Sequence, residues 1–268
     1  MKNDEDFNGI AAIHAFIEEK RKLTGSLKTF SCPNSIDALK GSIQFKLEEE
    51  AETLFIPKED IFVELGSPQH ESVSFIVITQ DPAEIREQIT LIGPDIPESE
   101  GKDLNLGQVL LLGGSKIQDF EYKNMERALF HLKNLEGYMI RAIPNKIWSR
   151  VNKQVGQRGF SFEAIGKALM IMYKQQFPAI ETMEILFITL DSPETFLELK
   201  IIGKEIRKTY IEQYSEQLKS KLSQISEKQR DDCEYPWSCE ECDYNAVCDE
   251  IRDIVDKMKA YREKTQKK

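Results

Sequence analysis

Four cysteines lie within sixteen residues near the C-terminal end of the sequence. Cys233, Cys239, Cys242 and Cys248 have the spacing C-x5-C-x2-C-x5-C, and the only other cysteine is Cys32. Packing does not explain such clustering, whereas a C-x2-C pair brings two thiolates to one centre. Four thiolates suit a [4Fe–4S] cluster, and tetrahedral zinc accepts the same number. The four clustered cysteines are therefore the predicted metal ligands, and Cys32 is interpreted as a single structural thiol.

The spacing favours iron over zinc. Structural zinc sites commonly use two separate C-x2-C pairs, and this sequence has one. Pro236, Trp237 and Tyr244 stand beside the ligands, where bulky side chains shield a cluster from water and tune its reduction potential. A [4Fe–4S] cluster is the predicted cofactor, and zinc is the alternative.

Composition and charge argue against a nucleic-acid-binding, membrane-spanning or secreted protein. The formal net charge is −10, which argues against broad binding to nucleic acid because phosphate neutralisation needs a basic surface. Apolar runs such as Ile185–Leu190 are too short to cross a bilayer. The acidic N-terminus has no apolar segment of a signal peptide, so a cytoplasmic location is expected. Cytoplasmic thiols stay reduced, and a cysteine cluster there indicates metal rather than disulfides.

Apolar periodicity predicts an α/β fold with a mixed sheet layered by helices, because strand and helix patterns alternate. Strands are predicted at Ser74–Thr79, Val109–Leu112, Tyr138–Arg141 and Glu184–Leu190. Helices are predicted over residues 7–22, 121–136 and 147–154, after Ser161 and after Ser192. Two domains are expected: a scaffold over residues 1–214, and a linker helix with a small, helical, cysteine-rich segment over residues 215–268.

An ordered set of short motifs runs through the middle of the chain. The motifs are Gly93-Pro94-Asp95-Ile96, Gln118-Asp119-Phe120-Glu121, Glu126-Arg127, His131-Leu132, Gly137-Tyr138-Met139, Ile147-Trp148-Ser149-Arg150 and Gly159-Phe160. From about Ile61 to Cys248, this succession resembles the acetyl-CoA synthase β subunit of the carbon monoxide dehydrogenase/acetyl-CoA synthase complex. The resemblance implies the scaffold of that family and a role in anaerobic one-carbon, corrinoid or acetyl-CoA metabolism.

The resemblance also implies metal chemistry. The family joins a methyl group from a corrinoid protein, carbon monoxide and coenzyme A at a [4Fe–4S] cluster bridged by one cysteine to two nickel ions. Cys239, Cys242 and Cys248 match the start of the cluster motif, and Cys242 would be the bridging thiolate. The family's third cysteine follows a longer gap, and its distal nickel is chelated by a Cys-Gly-Cys segment that does not occur in these 268 residues. An iron–sulfur protein with an incomplete nickel site is therefore expected, with Cys233 as fourth cluster ligand.

A coenzyme A site follows from the same resemblance. Trp148 and Arg150 match a tryptophan and arginine near which the family binds coenzyme A, and Arg141 and Arg158 could add positive charge. Adenine stacks on aromatic faces, and the guanidinium fork suits phosphate oxygens. The alternative interpretation is that Trp148 anchors a helix in the core while the arginines are solvated.

Several functions remain open from the sequence. The expected partner is a corrinoid protein or another subunit of a one-carbon pathway. If the chain is an enzyme, it is an acyltransferase of the CO-methylating acetyl-CoA synthase type, completed by another subunit. A structural zinc protein is a further alternative. The last cysteines also resemble the iron–sulfur motif of RecB-like nucleases, in which Cys32 would be the fourth ligand, but the required Asp and Glu/Asp-x-Lys set is not evident.

Overall fold

A five-stranded mixed sheet forms the centre of the protein in a computed structural model. The structure describes residues 8–47, 55–97, 101–118, 121–128, 135–143 and 146–210, all within the unit Met1–Glu212. The strands of the central sheet, in spatial order, are β1 (Leu27–Ser31), β4 (Gln88–Ile92), β8 (Thr182–Ile188), β5 (Leu106–Gly113) and β3 (Ser72–Thr79). The pairs β4–β8 and β3–β5 are parallel, while β1–β4 and β5–β8 are antiparallel.

A second, smaller sheet has three antiparallel strands. Its order is β2 (Ile61–Leu65), β7 (Lys146–Asn152) and β6 (Tyr138–Ile143). The two sheets are joined where the Ser72 hydroxyl donates to the Ile147 carbonyl at 2.7 Å and accepts from the Ile147 N–H at 2.9 Å. The smaller sheet therefore packs on one face of the central sheet, next to β3 and β5.

Six helices complete the described residues. They are α1 (Gly9–Thr24), α2 (Ile36–Ser42), α3 (Tyr122–Ala128), α4 (Lys153–Gly156), α5 (Phe162–Gln176) and α6, which covers 193–210. Side-chain caps fix four N-termini: Asn8 accepts from Ala11, Asn152 from Val155, Ser161 from Ala164, and Ser192 from Thr195. Within this part of the chain, no helix is both long and apolar enough to cross a membrane.

The core has two layers, one on each face of the central sheet. One layer joins α1 and α6 to the outward residues of β3, β5 and β8, with Phe16, Leu111 and Phe196 fully buried. The other joins α5 and the smaller sheet to the opposite face. Every residue of β5 is buried, as expected of a strand covered on both faces. The mixed α/β fold with helices layered on a mixed sheet is thus confirmed.

Two helix predictions were wrong. Residues 147–154 form mainly strand β7, in which Ile147, Ser149 and Val151 are buried while their neighbours are more exposed. That alternation is the two-residue period of a half-buried strand, and the polar Ser149 on the buried face obscures it in the sequence. The helix predicted to reach residue 136 cannot do so, because Leu135 forms a β-bridge with Leu47. The predicted C-terminal segment 215–268 lies outside the described residues.

Candidate functional site

Strand β7 positions the predicted tryptophan and arginine on one face of the smaller sheet. Trp148 and Arg150 are two residues apart, so both lie on the face opposite Ile147, Ser149 and Val151. Antiparallel pairing sets Glu64 of β2 opposite Arg150. We call the face that carries Trp148, Arg150 and Glu64 the outer face of the smaller sheet.

Three groups hold the Arg150 side chain in place. Its Nε donates to Glu64 Oε1 at 2.5 Å, and its Nη1 donates to the Ile56 carbonyl oxygen at 3.3 Å. The guanidinium carbon lies 4.5 Å from the centroid of the Trp148 ring, within the range of a cation–π contact. The arginine side chain is 16% exposed and that of Glu64 18%. A fixed, partly accessible cation therefore covers an aromatic ring.

Arg141 belongs to the same strand pair. It occupies the register position of β6 directly opposite Trp148, just as Met139 stands opposite Arg150. Residues opposite each other in an antiparallel pair lie on one face of the sheet. The backbone thus brings the position of Arg141 together with Trp148 and Arg150.

Arg158 has a different environment. Its Nη2 donates to Glu136 Oε1 at 2.9 Å, and its guanidinium carbon lies 5.5 Å from the Phe45 ring centroid. Burial, the largest single influence, acts to raise the pKa of Glu136. Hydrogen bonds from the Lys46 N–H and from Arg158 outweigh it and lower that pKa overall. The described side-chain contacts of Arg158 are therefore with Glu136 and Phe45, just before β6.

The first sequence motif has an architectural role. Gly93 begins the turn after β4 with φ of 114°, and a Cβ atom there would lie 2.7 Å from Thr189 Oγ1. Asp95 Oδ1 accepts the Phe162 N–H at 3.1 Å and thereby binds the first residue of α5. The motif links the central sheet to α5, a role that its residue types alone do not indicate.

The four clustered cysteines lie outside the described residues. Among the residues that the structure does describe, no group of three His, Cys, Asp or Glu side chains could hold a metal ion. Cys32 is a buried free thiol beside β1, and burial raises its pKa to about 11. A thiol with that pKa stays protonated at neutral pH, whereas metal binding requires the thiolate.

Two contacts at the outer face were not predicted from the sequence. Glu64 and the Ile56 carbonyl hold Arg150, although both precede it by more than eighty residues. In β2, Phe62, Val63 and Leu65 are buried around the partly exposed Glu64, so the sequence pattern marks Glu64 as the acid of this strand. Its partner follows only from the strand pairing.

Fold and site together define a mixed α/β protein whose smaller sheet carries an aromatic and cationic outer face. The sequence model of the CO dehydrogenase/acetyl-CoA synthase complex beta subunit family matches residues 43–193. That range is more than half of the chain and includes both sheets apart from β1. The chain belongs to this family. The matched range includes Trp148, Arg150 and Arg158 but ends before Cys233.

Curated relatives agree with the family. The chain is 31% identical over 155 residues to acetyl-CoA decarbonylase/synthase complex subunit beta 1 of Methanosarcina mazei, covering 57% of this chain and 33% of the relative. It is 33% identical over 138 residues to the beta subunit of Archaeoglobus fulgidus, which covers 50% of this chain and 26% of the relative. It is 32% identical over 144 residues to the beta subunit of Methanopyrus kandleri, which covers 52% of this chain and 31% of the relative. The alignments thus span about a third or less of these relatives.

Proposed function

We propose that this chain is a beta-subunit-like component of acetyl-CoA metabolism that binds coenzyme A on the outer face of its smaller sheet. The observation that carries the proposal is the Arg150 guanidinium stacked 4.5 Å from the Trp148 ring and fixed by Glu64. Coenzyme A combines an adenine ring with phosphate groups. An aromatic ring beside a fixed guanidinium offers stacking for the first and hydrogen bonds for the second.

Arg141 and Arg158 are expected to contribute to coenzyme A binding to different degrees. Arg141 is assigned to the same site because its register position faces Trp148 across the strand pair. Arg158 is 48% exposed and already paired with Glu136, so it would contact a phosphate only by exchanging that partner. We therefore expect a larger contribution to coenzyme A binding from Arg141 than from Arg158.

Calorimetric titration with coenzyme A tests the site. Replacing Arg150→Lys keeps the positive charge but removes the planar fork, and we expect about tenfold to hundredfold weaker binding from the loss of charge-assisted hydrogen bonds. Arg86→Lys is the matched control, because Arg86 is exposed beside the central sheet. Unchanged affinity in Arg150→Lys, with its thermal unfolding also unchanged, would contradict the assignment.

We further propose that Cys233, Cys239, Cys242 and Cys248 bind a [4Fe–4S] cluster. Four cysteine thiolates form a donor set that fits such a cluster, while zinc is the alternative metal. When bound, the cluster would supply one-electron transfer. The chain offers no Cys-Gly-Cys segment for a square-planar nickel ion, so the proposed cofactor set contains iron without a complete nickel site.

Anaerobic purification followed by metal analysis and EPR spectroscopy tests the cluster. We expect about four iron atoms per chain and the signal of a reduced [4Fe–4S]⁺ cluster. One zinc per chain without iron would contradict the cluster, and two nickel ions per chain would contradict the incomplete nickel site. Cys233→Ser should lower the iron content and change the spectrum. If neither changes, the fourth ligand is another group.

The metabolic role forms the last part of the proposal. We expect a corrinoid protein or another subunit of a one-carbon pathway as partner, with electron transfer or docking as this chain's contribution. A second candidate is an active acetyl-CoA synthase component completed by another subunit, and the complex-subunit names of the relatives favour it. Anaerobic incubation with a methylated corrinoid protein, carbon monoxide and coenzyme A distinguishes them. Acetyl-CoA formation that requires this chain, alone or with an added subunit, would contradict the non-catalytic role.

A further inference from the structure

Buried polar side chains lie in the layer between the two sheets. Gln108, in strand β5 of the central sheet, is fully buried, and Ser74 in β3 is 5% exposed. Both amide atoms of Gln108 and the Ser74 hydroxyl are inaccessible to solvent and have no hydrogen-bond partner among the residues that the structure describes. An amide in such a position is unusual, because buried polar groups are nearly always hydrogen-bonded.

Strand register brings these two side chains together. Ser74 and Gln108 are direct partners in the parallel pair β3–β5, so both lie on the same face of the central sheet. Ser72, two residues before Ser74, is on that face too and hydrogen-bonds to the backbone of Ile147 in β7. The Gln108 amide and the Ser74 hydroxyl therefore point to the layer filled by the smaller sheet.

The smaller sheet contributes further hydroxyls to this layer. Ser149 is fully buried on the inner face of β7, and Tyr138 at the start of β6 is 3% exposed. Their oxygen atoms are likewise inaccessible to solvent, and the two hydroxyls are close enough to interact with each other. We call Ser74, Gln108, Ser149 and Tyr138 the polar seam.

We propose that the polar seam is a binding site for internal water molecules, which bridge the Gln108 amide to the surrounding hydroxyls. An amide group needs acceptors for two N–H bonds and a donor for its oxygen, and hydroxyls can both donate and accept. Buried waters typically make two to four hydrogen bonds to such groups. Apolar residues of both sheets surround the seam, and its four members are neutral, so a neutral ligand as small as water fits its chemistry better than an ion.

The site would stabilise the strand that carries the outer face. Ser149 lies between Trp148 and Arg150 in β7 and points to the opposite side of the sheet. Water bound to its hydroxyl would tie the underside of β7 to the central sheet through Gln108. The burial and register of the polar seam do not depend on coenzyme A binding.

Oxygen-17 magnetic relaxation dispersion of the full chain tests the proposal, because it detects water molecules with long residence times inside a protein. Gln108→Leu removes the amide at similar volume, and we expect it to lose the contribution of at least one long-lived water. Gln175→Leu is the matched control, since Gln175 is exposed on α5. An equal dispersion amplitude in Gln108→Leu and the unaltered chain would overturn the proposal.

Two further measurements keep the test decisive. If Gln108→Leu does not fold, Ser74→Ala replaces it, because removing one hydroxyl from the seam should also reduce the dispersion amplitude. A high-resolution crystal structure should then show ordered water within hydrogen-bond distance of the Gln108 amide. Direct pairing of that amide with protein groups, with no water between them, would overturn the proposal as well.

Discussion

The two sheets of this protein differ in how their faces are covered. In the central sheet, β5 is buried at all eight positions, with α1 and α6 on one side and α5 and the smaller sheet on the other. In the smaller sheet, β7 alternates between buried and more exposed residues along its length. The central sheet therefore supplies stability, whereas the outer face of the smaller sheet leaves Trp148 and Arg150 partly exposed.

The largest expected effect lies in the central sheet. Phe187 of β8 is fully buried, and its ring centroid lies 4.9 Å from that of Phe162 in α5. Phe187→Ala should lower the free energy of unfolding by about 3–5 kcal/mol, because it removes buried apolar surface and leaves a cavity. Denaturant unfolding measures this, with the exposed Phe55→Ala as control. Equal effects in the two variants would contradict the stabilising role of the buried central sheet.

The turn after β4 should be the next most sensitive position. Gly93→Ala places a Cβ atom 2.7 Å from Thr189 Oγ1 and 2.8 Å from the Leu190 nitrogen, at a φ of 114°. We expect a loss of about 2–3 kcal/mol in the free energy of unfolding from this crowding and strain. Gly41→Ala is the control, since nothing lies within 4 Å of its Cβ position. A Gly93 variant as stable as the Gly41 variant would show that the motif is not architectural.

On the outer face, stability and ligand affinity should change in opposite directions. Glu64→Gln removes the carboxylate that holds Arg150, so the free energy of unfolding should fall by about 1–2 kcal/mol. The same change removes a negative charge beside the proposed phosphate position, so coenzyme A should bind several-fold more tightly. Thermal unfolding and calorimetry measure the two effects, with exposed Glu59→Gln as control. A stability loss without tighter binding would indicate a purely structural ion pair.

The smallest effect concerns pH at the start of β6. The pKa of Glu136 is lowered in the folded protein, so its carboxylate contributes stability above its ordinary pKa, and this contribution is lost as pH falls through the lowered value. Because its partner Arg158 is well exposed, we expect less than about 1 kcal/mol. Glu136→Gln should flatten the unfolding free energy against pH only in that acidic window. If the dependence of the unfolding free energy on pH did not change, the ion pair between Glu136 and Arg158 would be contradicted.

Much of the fold could be predicted because its elements carry strong local signals. The strand at Ser72–Thr79 is rich in β-branched residues, and Ser161 and Ser192 mark the starts of α5 and α6. Strand β7 was mistaken for a helix because a buried serine and two large outer side chains conceal its alternation. Pairing with β2 and β6 determines that segment, and such long-range pairing is not visible in a local pattern.

The site could be predicted only in part for the same reason. The family resemblance pointed to Trp148 and Arg150, and strand β7, in place of the predicted helix, puts both on one face. Glu64 and the partner of Arg158 depend on contacts between distant segments, and neither has a local signature. The polar seam was also missed, since Ser74 and Gln108 are ordinary polar residues until the sheet buries them.

The fluorescence of Trp148 tests most directly whether coenzyme A binds on the outer face. The sequence has two tryptophans, so Trp237→Phe leaves Trp148 as the single reporter. Titration with coenzyme A should then change its emission saturably, with a midpoint equal to the calorimetric dissociation constant, and Arg150→Lys should shift both to higher concentration. Coenzyme A binding detected by calorimetry without any change in Trp148 emission would place the ligand elsewhere and contradict the account.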